Sequence, residues 1–410
     1  MRIRAFQGLR PTTETASKIA ALPYDVVNTA EARALAEGNP LSFLNISRAE
    51  INLPDDTDPY SDPVYALAAH NFTQFQKQGY FVRESEPSLY VYQQTMGNHV
   101  QKGIVTVSHI EDYEQDIIKK HEKTRIAKEN DRLALNNALN ANSGPVFLTY
   151  RDEAAIDAMV EQTVSAPPLF DFTAPDGIQH TVWRMVRPQA CVDAFARIPV
   201  AYVADGHHRS ASAARAGKMR RDLNPNHTGK EDYNWFLSVF FPASQLKILP
   251  YNRTVADLNG LSKSDFLQKL AQLGRLSEDA PQSPLSQGDV SLYLDGHWYG
   301  LKLTPTADAG PIDCLDVSML QDRVLAPLLG IDDPRTDSRV DFIGGIRGTA
   351  ELVKLVDSGK AAVAFSMYPT TVDQLMAIAD AGAIMPPKST WFEPKLRSGL
   401  FIHTIEPLPA

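Results

Sequence analysis

The chain has 410 residues, 43% of them hydrophobic and 22% charged, the balance of an ordinary globular protein long enough for two or three domains. Forty basic residues against 49 acidic ones leave a net charge of −9, which argues against a broadly basic surface for nucleic acid or membrane. No stretch approaches the about 18 uninterrupted apolar residues of a membrane span, and the N-terminus has no signal-peptide pattern. The chain therefore reads as cytoplasmic. Its two cysteines, Cys191 and Cys314, read as free thiols.

In chain order, residues 1–60 read as strand and turn with one short helix over 29–37, closed by Gly38-Asn39-Pro40. A helix is predicted over 63–77, with Asp62 as its cap and Pro63 at its first position. Alternation predicts strands over 89–92 and 103–109 around a Gly97-Asn98 turn. Residues 112–140, rich in Lys, Glu, Arg, Leu and Ala, predict the longest helix. A strand at 146–150 and a helix at 153–164 follow. Residues 197–204 read as a strand, Asp205-Gly206 as a turn, and 210–216 as a helix stopped by Gly217. Beyond lie a strand at 233–241, a helix at 263–273 and a linker-like run at 280–288. A hairpin turns at Asp295-Gly296, and helices are expected over 317–329 and 350–356. Strands and helices mix without strict alternation. The expected class is α+β with mixed sheets, in a region 1–280 with a helical insertion at about 111–142 and a C-terminal region 281–410.

The turn at Asp205-Gly206-His207-His208-Arg209-Ser210 carries the densest chemistry. A helix start presents unpaired N–H groups and a partial positive charge, which suit a phosphate. Gly206 gives a tight turn, Arg209 a bidentate contact, and His208 and Ser210 further donors. Adjacent helical residues point about 100° apart, so His207 is expected to face the ligand and His208 to pack inward. A second cluster, His121-Glu122-Lys123-Thr124-Arg125, sits within the predicted long helix, where His121 and Arg125 share a face. Its imidazole and carboxylate suit acid/base or metal work, and it is expected in one cleft with Asp205. A third turn, Gly344-Gly345-Ile346-Arg347-Gly348, reads as a tight turn or as a glycine nest for a second anion. Pro386-Pro387-Lys388 presents one ammonium from a rigid loop.

These segments together resemble the bacterial family known as domain of unknown function 1015. The resemblance rests on Asp205–Arg209 together with Pro23-Tyr24-Asp25-Val26-Val27, Asn39-Pro40-Leu41-Ser42-Phe43-Leu44, Lys120–Arg125, Gly344–Gly348 and Met385–Phe392, in that family's order. Through the Asp205–Arg209 motif the family resembles the ParB/sulfiredoxin-like superfamily, which includes free-serine kinases. The resemblance implies a strand–turn–helix phosphate site, cytoplasmic phosphoryl transfer to or from serine, and Mg²⁺ with ATP or ADP. It implies catalytic roles for Asp205, His207, His121 and Glu122, with Asp25 in reserve for Glu122. Phosphate or nucleotide would meet Gly206, His208, Arg209, Ser210, Gly344, Gly345 and Arg347. Substrate would meet Arg125, Lys388 and Asp25. Sulfiredoxin chemistry lacks its cysteine here, since histidines occupy that place. Two other readings stand beside the kinase: a nucleotide-binding regulator without turnover, and a metal-dependent hydrolase using His121, Asp205, His207 and His208.

Overall fold

A computed structural model describes residues 1–408. By its internal contacts the chain forms two units, residues 1–246 with those from 394 to 408, and residues 247–393. This division differs from a single break at 280/281. The run at 280–288 is instead a loop between two strands inside the second unit.

The first unit is built on a nine-stranded sheet. Its strands are β1 (Ile3–Arg4), β2 (Leu89–Met96), β3 (His99–His109), β4 (Ile118–Lys119), β5 (Val146–Tyr150), β6 (Phe170–Thr173), β7 (Gln179–Met185), β8 (Ala201–Asp205) and β9 (Trp235–Pro242). They lie in the order β4-β8-β5-β9-β3-β2-β7-β6, with β1 paired to β3. The β4–β8 and β5–β9 pairs are parallel and the rest antiparallel. The class is therefore α+β. Leu89, Val91, Val146, Leu148, Val203 and Phe240 form a buried core with Phe195 and Ala214.

The helices of this unit include α1 (Thr29–Ala36), α2 (Asp62–Lys77), α3 (Ile126–Leu139), α4 (Ala154–Val164) and α5 (His207–Leu223). Asn28 caps α1 through a reciprocal pair with Glu31. A second core gathers Phe43, Val64, Phe72, Leu135 and Ile402 around α2 and α3.

Two expectations are corrected here. The predicted helix over 112–140 is broken. A short helix, Ile110–Glu114, ends beside Asp116, whose φ of 55° lies in the left-handed region. The chain then enters β4, and helix resumes only at Ile126. Pairing of Ile118 and Lys119 with Ala201 and Tyr202 takes the place of helical backbone bonds in this stretch. The second correction is Gly217, which does not stop α5. A Cβ there would lie 2.3 Å from the Tyr233 carbonyl oxygen. The glycine permits close packing inside a continuing helix.

The second unit holds a six-stranded antiparallel sheet: β10 (Tyr251–Val255), β11 (Arg275–Glu278), β12 (Asp289–Leu294), β13 (His297–Lys302), β14 (Val340–Gly344) and β15 (Val363–Met367). The predicted hairpin is β12–β13, with Asp295 and Gly296 both at positive φ, 48° and 79°. Helices α6 (Lys263–Leu273), α7 (Gly348–Asp357) and α8 (Val372–Asp380) belong to the unit, as does a helical run over 316–329 where a helix was expected. Among the described residues, no helix is long and apolar enough to cross a membrane.

Candidate functional site

Strand β8 ends at Asp205, and its parallel partner β4 ends at Lys119, with Tyr202 opposite Lys119. Two chains thus leave the sheet side by side, and residues 120–122 arrive beside residues 205–207. Gly206 takes φ 100°, which turns the chain from strand into α5. A Cβ there would lie 3.1 Å from Nε of Arg209. The bare backbone gives the guanidinium its place under the turn. The first helical bond runs from the Ser210 N–H to the Gly206 carbonyl at 2.9 Å. The preceding N–H groups face out of the helix end with its partial positive charge.

Asp205 is held between two cations. Its Oδ2 lies 3.3 Å from Nζ of Lys395 and 3.5 Å from Nη2 of Arg209. Burial pushes its pKa up, but the charges of Lys395 and Arg209 prevail and hold the carboxyl well below the usual range. Lys395 is buried, and its carbonyl accepts from Nε2 of Gln94 at 2.8 Å. The Arg209 side chain is 9% exposed. Its Nη1 donates to the Pro145 carbonyl, and its Nε has no hydrogen-bond partner among the described residues. Arg209 also lines a cavity of about 30 Å³ with Tyr24, Arg132, Ser143 and Ser212. That is space for about two waters or a small polar group. Arg132 stacks over the Tyr24 ring, 3.7 Å from its centroid, and is tied to Asp131.

His121 and His207 are both buried, with ring centroids 4.5 Å apart and edge to face. The His121 backbone N–H approaches Nε2 of His207 at 3.5 Å. Burial pushes the His121 imidazole down to about 4, against a hydrogen bond to the Val203 carbonyl and the charge of Asp205. Burial, and then the neighbouring His121, push His207 well below its ordinary value. Both rings are therefore neutral at neutral pH. One ligand atom each from His121, Glu122 and His207 lies within 4.8 Å of the other two.

The structure thus brings His121, Glu122, Asp205, His207 and Arg209 into one place, from an extended segment rather than a helix face. The predicted division of labour between the histidines is corrected. His207 is the inward ring, packed on His121. His208 is partly exposed, and its Nε2 accepts the Arg125 N–H at 3.0 Å. The left-handed turn at Gly206 sets this phase, aiming the first helical residue back at the chain beyond β4. Burial lowers the His208 pKa, and the charges of Asp25 and Glu129 oppose that. Asp25 is exposed on the turn before α1, and Arg125 is exposed at the start of α3. Ser210 donates its hydroxyl to the Gly206 and His207 carbonyls, 3.1 and 3.2 Å away, and so serves its own helix.

The remaining sequence candidates lie in the second unit. A Cβ on Gly345 would sit 2.6 Å from the Pro250 carbonyl oxygen, and one on Gly344 2.9 Å from the Trp391 ring. Packing alone accounts for both glycines. Arg347 is exposed on the turn that follows. Lys388 is exposed, at φ 58°, with its ammonium 5.3 Å from the centre of the Tyr251 ring. Sequence reasoning missed Lys395, Arg132 and Tyr24 as site residues. Lys395 ends a proline-rich run in which Lys388 drew attention first, and nothing local distinguishes the two.

A family model described as a protein of unknown function (DUF1015) matches residues 3–318. No curated protein matches the sequence. Among solved structures, the chain is similar to a mutant free serine kinase in complex with AMP, at 12% identity and TM-score 0.38, covering 72% of this chain and 91% of that one. It is similar to SbnI with a C-terminal truncation, from Staphylococcus aureus, at 12% identity and TM-score 0.40, covering 74% and 87%. It is also similar to a conserved hypothetical protein from Pyrococcus furiosus, at 13% identity and TM-score 0.35, covering 72% and 95%.

Proposed function

The chain belongs to the DUF1015 family, and from the chemistry of its first unit we propose that it is a phosphotransferase acting on a small hydroxy amino acid, L-serine first. The observation that carries this reading is the convergence of Asp205, Arg209 and Lys395 with His121, Glu122 and His207 at the N-terminus of α5. Phosphoryl transfer needs positioning and charge neutralisation more than covalent chemistry from the protein. The helix N-terminus and Arg209 supply positive charge to phosphate oxygens. Asp205, fixed between Lys395 and Arg209, holds those cations in place and is a poor proton acceptor. Glu122, beside His121 and His207, is the carboxylate assigned to the substrate proton.

In the forward direction the serine hydroxyl oxygen attacks the terminal phosphorus of ATP or ADP, and a divalent cation, where bound, would supply further positive charge. The bond from that phosphorus to the bridging oxygen breaks, ADP or AMP leaves, and the hydroxyl proton passes to Glu122. Gly344, Gly345, Arg347 and Lys388 take no part in this proposal.

The test incubates the purified chain with L-serine, Mg²⁺ and either ATP or ADP, and measures phosphoserine by mass spectrometry. Phosphoserine is expected with one donor, and Glu122→Gln is expected to lower its rate at least about 100-fold, the scale of a lost general base. No phosphoserine from either donor, in either direction, would overturn the reading.

A further inference from the structure

We infer that His121, Glu122 and His207 bind one divalent first-row transition ion, of the Zn²⁺ or Mn²⁺ class, in preference to Mg²⁺. Three ligand atoms within 4.8 Å of one another share a centre at most about 2.8 Å from each. Metal–nitrogen bonds to such ions are about 2.0–2.1 Å, so side-chain shifts under about 1 Å close the site.

A further contact points the same way. His121 donates a ring N–H to the Val203 carbonyl, the kind of outer contact that fixes tautomer and ring orientation in metal-bound histidine. The set is the one whose ligand atoms lie together, His121, Glu122 and His207, while Asp205 Oδ2 is ion-paired to Lys395 and Arg209.

Two imidazoles and one carboxylate suit borderline ions, whereas Mg²⁺ favours oxygen and keeps most of its waters. Three protein ligands leave coordination positions open, as in catalytic rather than structural sites. A phosphate oxygen fits one of them. If Glu122 binds through one oxygen, the other remains for the hydroxyl proton. The ion's part in catalysis rests on the phosphoryl-transfer reading, but its binding does not.

The experiment strips the full chain with a chelator and titrates it with Co²⁺ in the absence of nucleotide and serine, following visible absorption. One equivalent is expected to give ligand-field bands of low-coordinate Co²⁺, displaced by Zn²⁺ and not by excess Mg²⁺. Glu122→Gln and His207→Asn, checked for folding by circular dichroism, are expected to weaken Co²⁺ binding beyond the about 10–100-fold typical of losing an outer contact. Glu122→Asp, which keeps the ligand type, should retain the bands. Absence of a saturable Co²⁺ signal in the wild type, or an affinity unchanged in Glu122→Gln, would overturn the inference. Phosphoserine formed with Mg²⁺ alone, and no Co²⁺ site, would sink the metal and spare the kinase. A stoichiometric Co²⁺ site with no phosphoserine would do the reverse.

Discussion

Asp205 keeps its charge in a largely buried position because Lys395 and Arg209 stand 3.3 and 3.5 Å from it. Removing one cation tests that balance. In Lys395→Met the methylenes are retained and the ammonium is lost. Truncating one partner of a buried ion pair costs on the order of 3 kcal/mol, and that loss is expected at neutral pH from urea denaturation. The sign with pH follows from the depressed carboxyl. A carboxylate whose folded pKa lies below its unfolded value stabilises the fold above the unfolded pKa, and loses that contribution as pH falls towards the folded one. The gap between wild type and Lys395→Met should therefore be widest near pH 7 and shrink as the pH drops below about 4, where the unfolded carboxyl protonates. An equal gap at both ends would mean that Lys395 acts through packing alone. At this scale the motif Asp205–Arg209 was legible, because strand, turn and helix signals are local and its residue types are unusual together. Lys395 was not. It meets Asp205 across 190 positions, and no spacing rule encodes such a pairing.

Helix α5 shows how an element is decided by its neighbours. Between the buried His207, Arg209 and Arg220 its buried residues are all small: Ser210, Ala211, Ser212, Ala213, Ala214, Ala216 and Gly217. Read alone, Gly217 looks like a stop. Against Tyr233, it is the point of closest approach, with a Cβ predicted at 2.3 Å from that carbonyl oxygen and 2.7 Å from Ile110 Cδ1. Two effects compete in Gly217→Ala. Helix propensity favours alanine by about 1 kcal/mol. Overpacking against a backbone carbonyl, which cannot swing away, costs about 1–3 kcal/mol. The clash should win, so the urea midpoint is expected to fall. A rise would mean that the helix slides freely over residues 232–234. The same dependence explains the misread stretch at 112–140. Its composition is helical throughout, yet the middle is captured by β8, a partner some eighty residues away. That capture matters for function, since it carries His121 and Glu122 to His207 where a helix face would have spread them. Elements whose partners are local, such as the hairpin at Asp295-Gly296 and the helix Lys263–Leu273, followed directly from the sequence.

At the scale of the whole molecule, the second unit is one continuous stretch, residues 247–393, set into a chain whose two flanking parts form the first unit. Neither the strand Val363–Met367 nor the helix Val372–Asp380 was read from the sequence, although the strand is buried throughout and the helix buries Leu375, Met376, Ile378 and Ala379. Val363 to Met367 is a short run buried throughout, and such runs have no alternation to reveal them. A continuous segment with its own sheet and core should fold by itself. It also carries its own pH signature. Asp316 is buried, and its two carboxyl oxygens accept the Gly288 N–H at 2.9 and 3.0 Å. Burial outweighs that bond and pushes its pKa up to about 6. Below about pH 4 the carboxyl is protonated folded and unfolded alike. Between there and pH 6 the folded state keeps a proton that the unfolded state has lost, so raising the pH favours unfolding. Above pH 6 the penalty is constant. Residues 247–393 expressed alone should therefore unfold cooperatively, with a stability that declines by roughly 3 kcal/mol between pH 4 and 7, at about 1.4 kcal/mol per pKa unit. Asp316→Asn keeps an oxygen for Gly288 and removes the titration, so it should flatten that decline and leave the variant the more stable form at pH 7. A decline that persists in Asp316→Asn would assign the effect to another group, and a fragment without a cooperative transition would show that this stretch does not fold by itself.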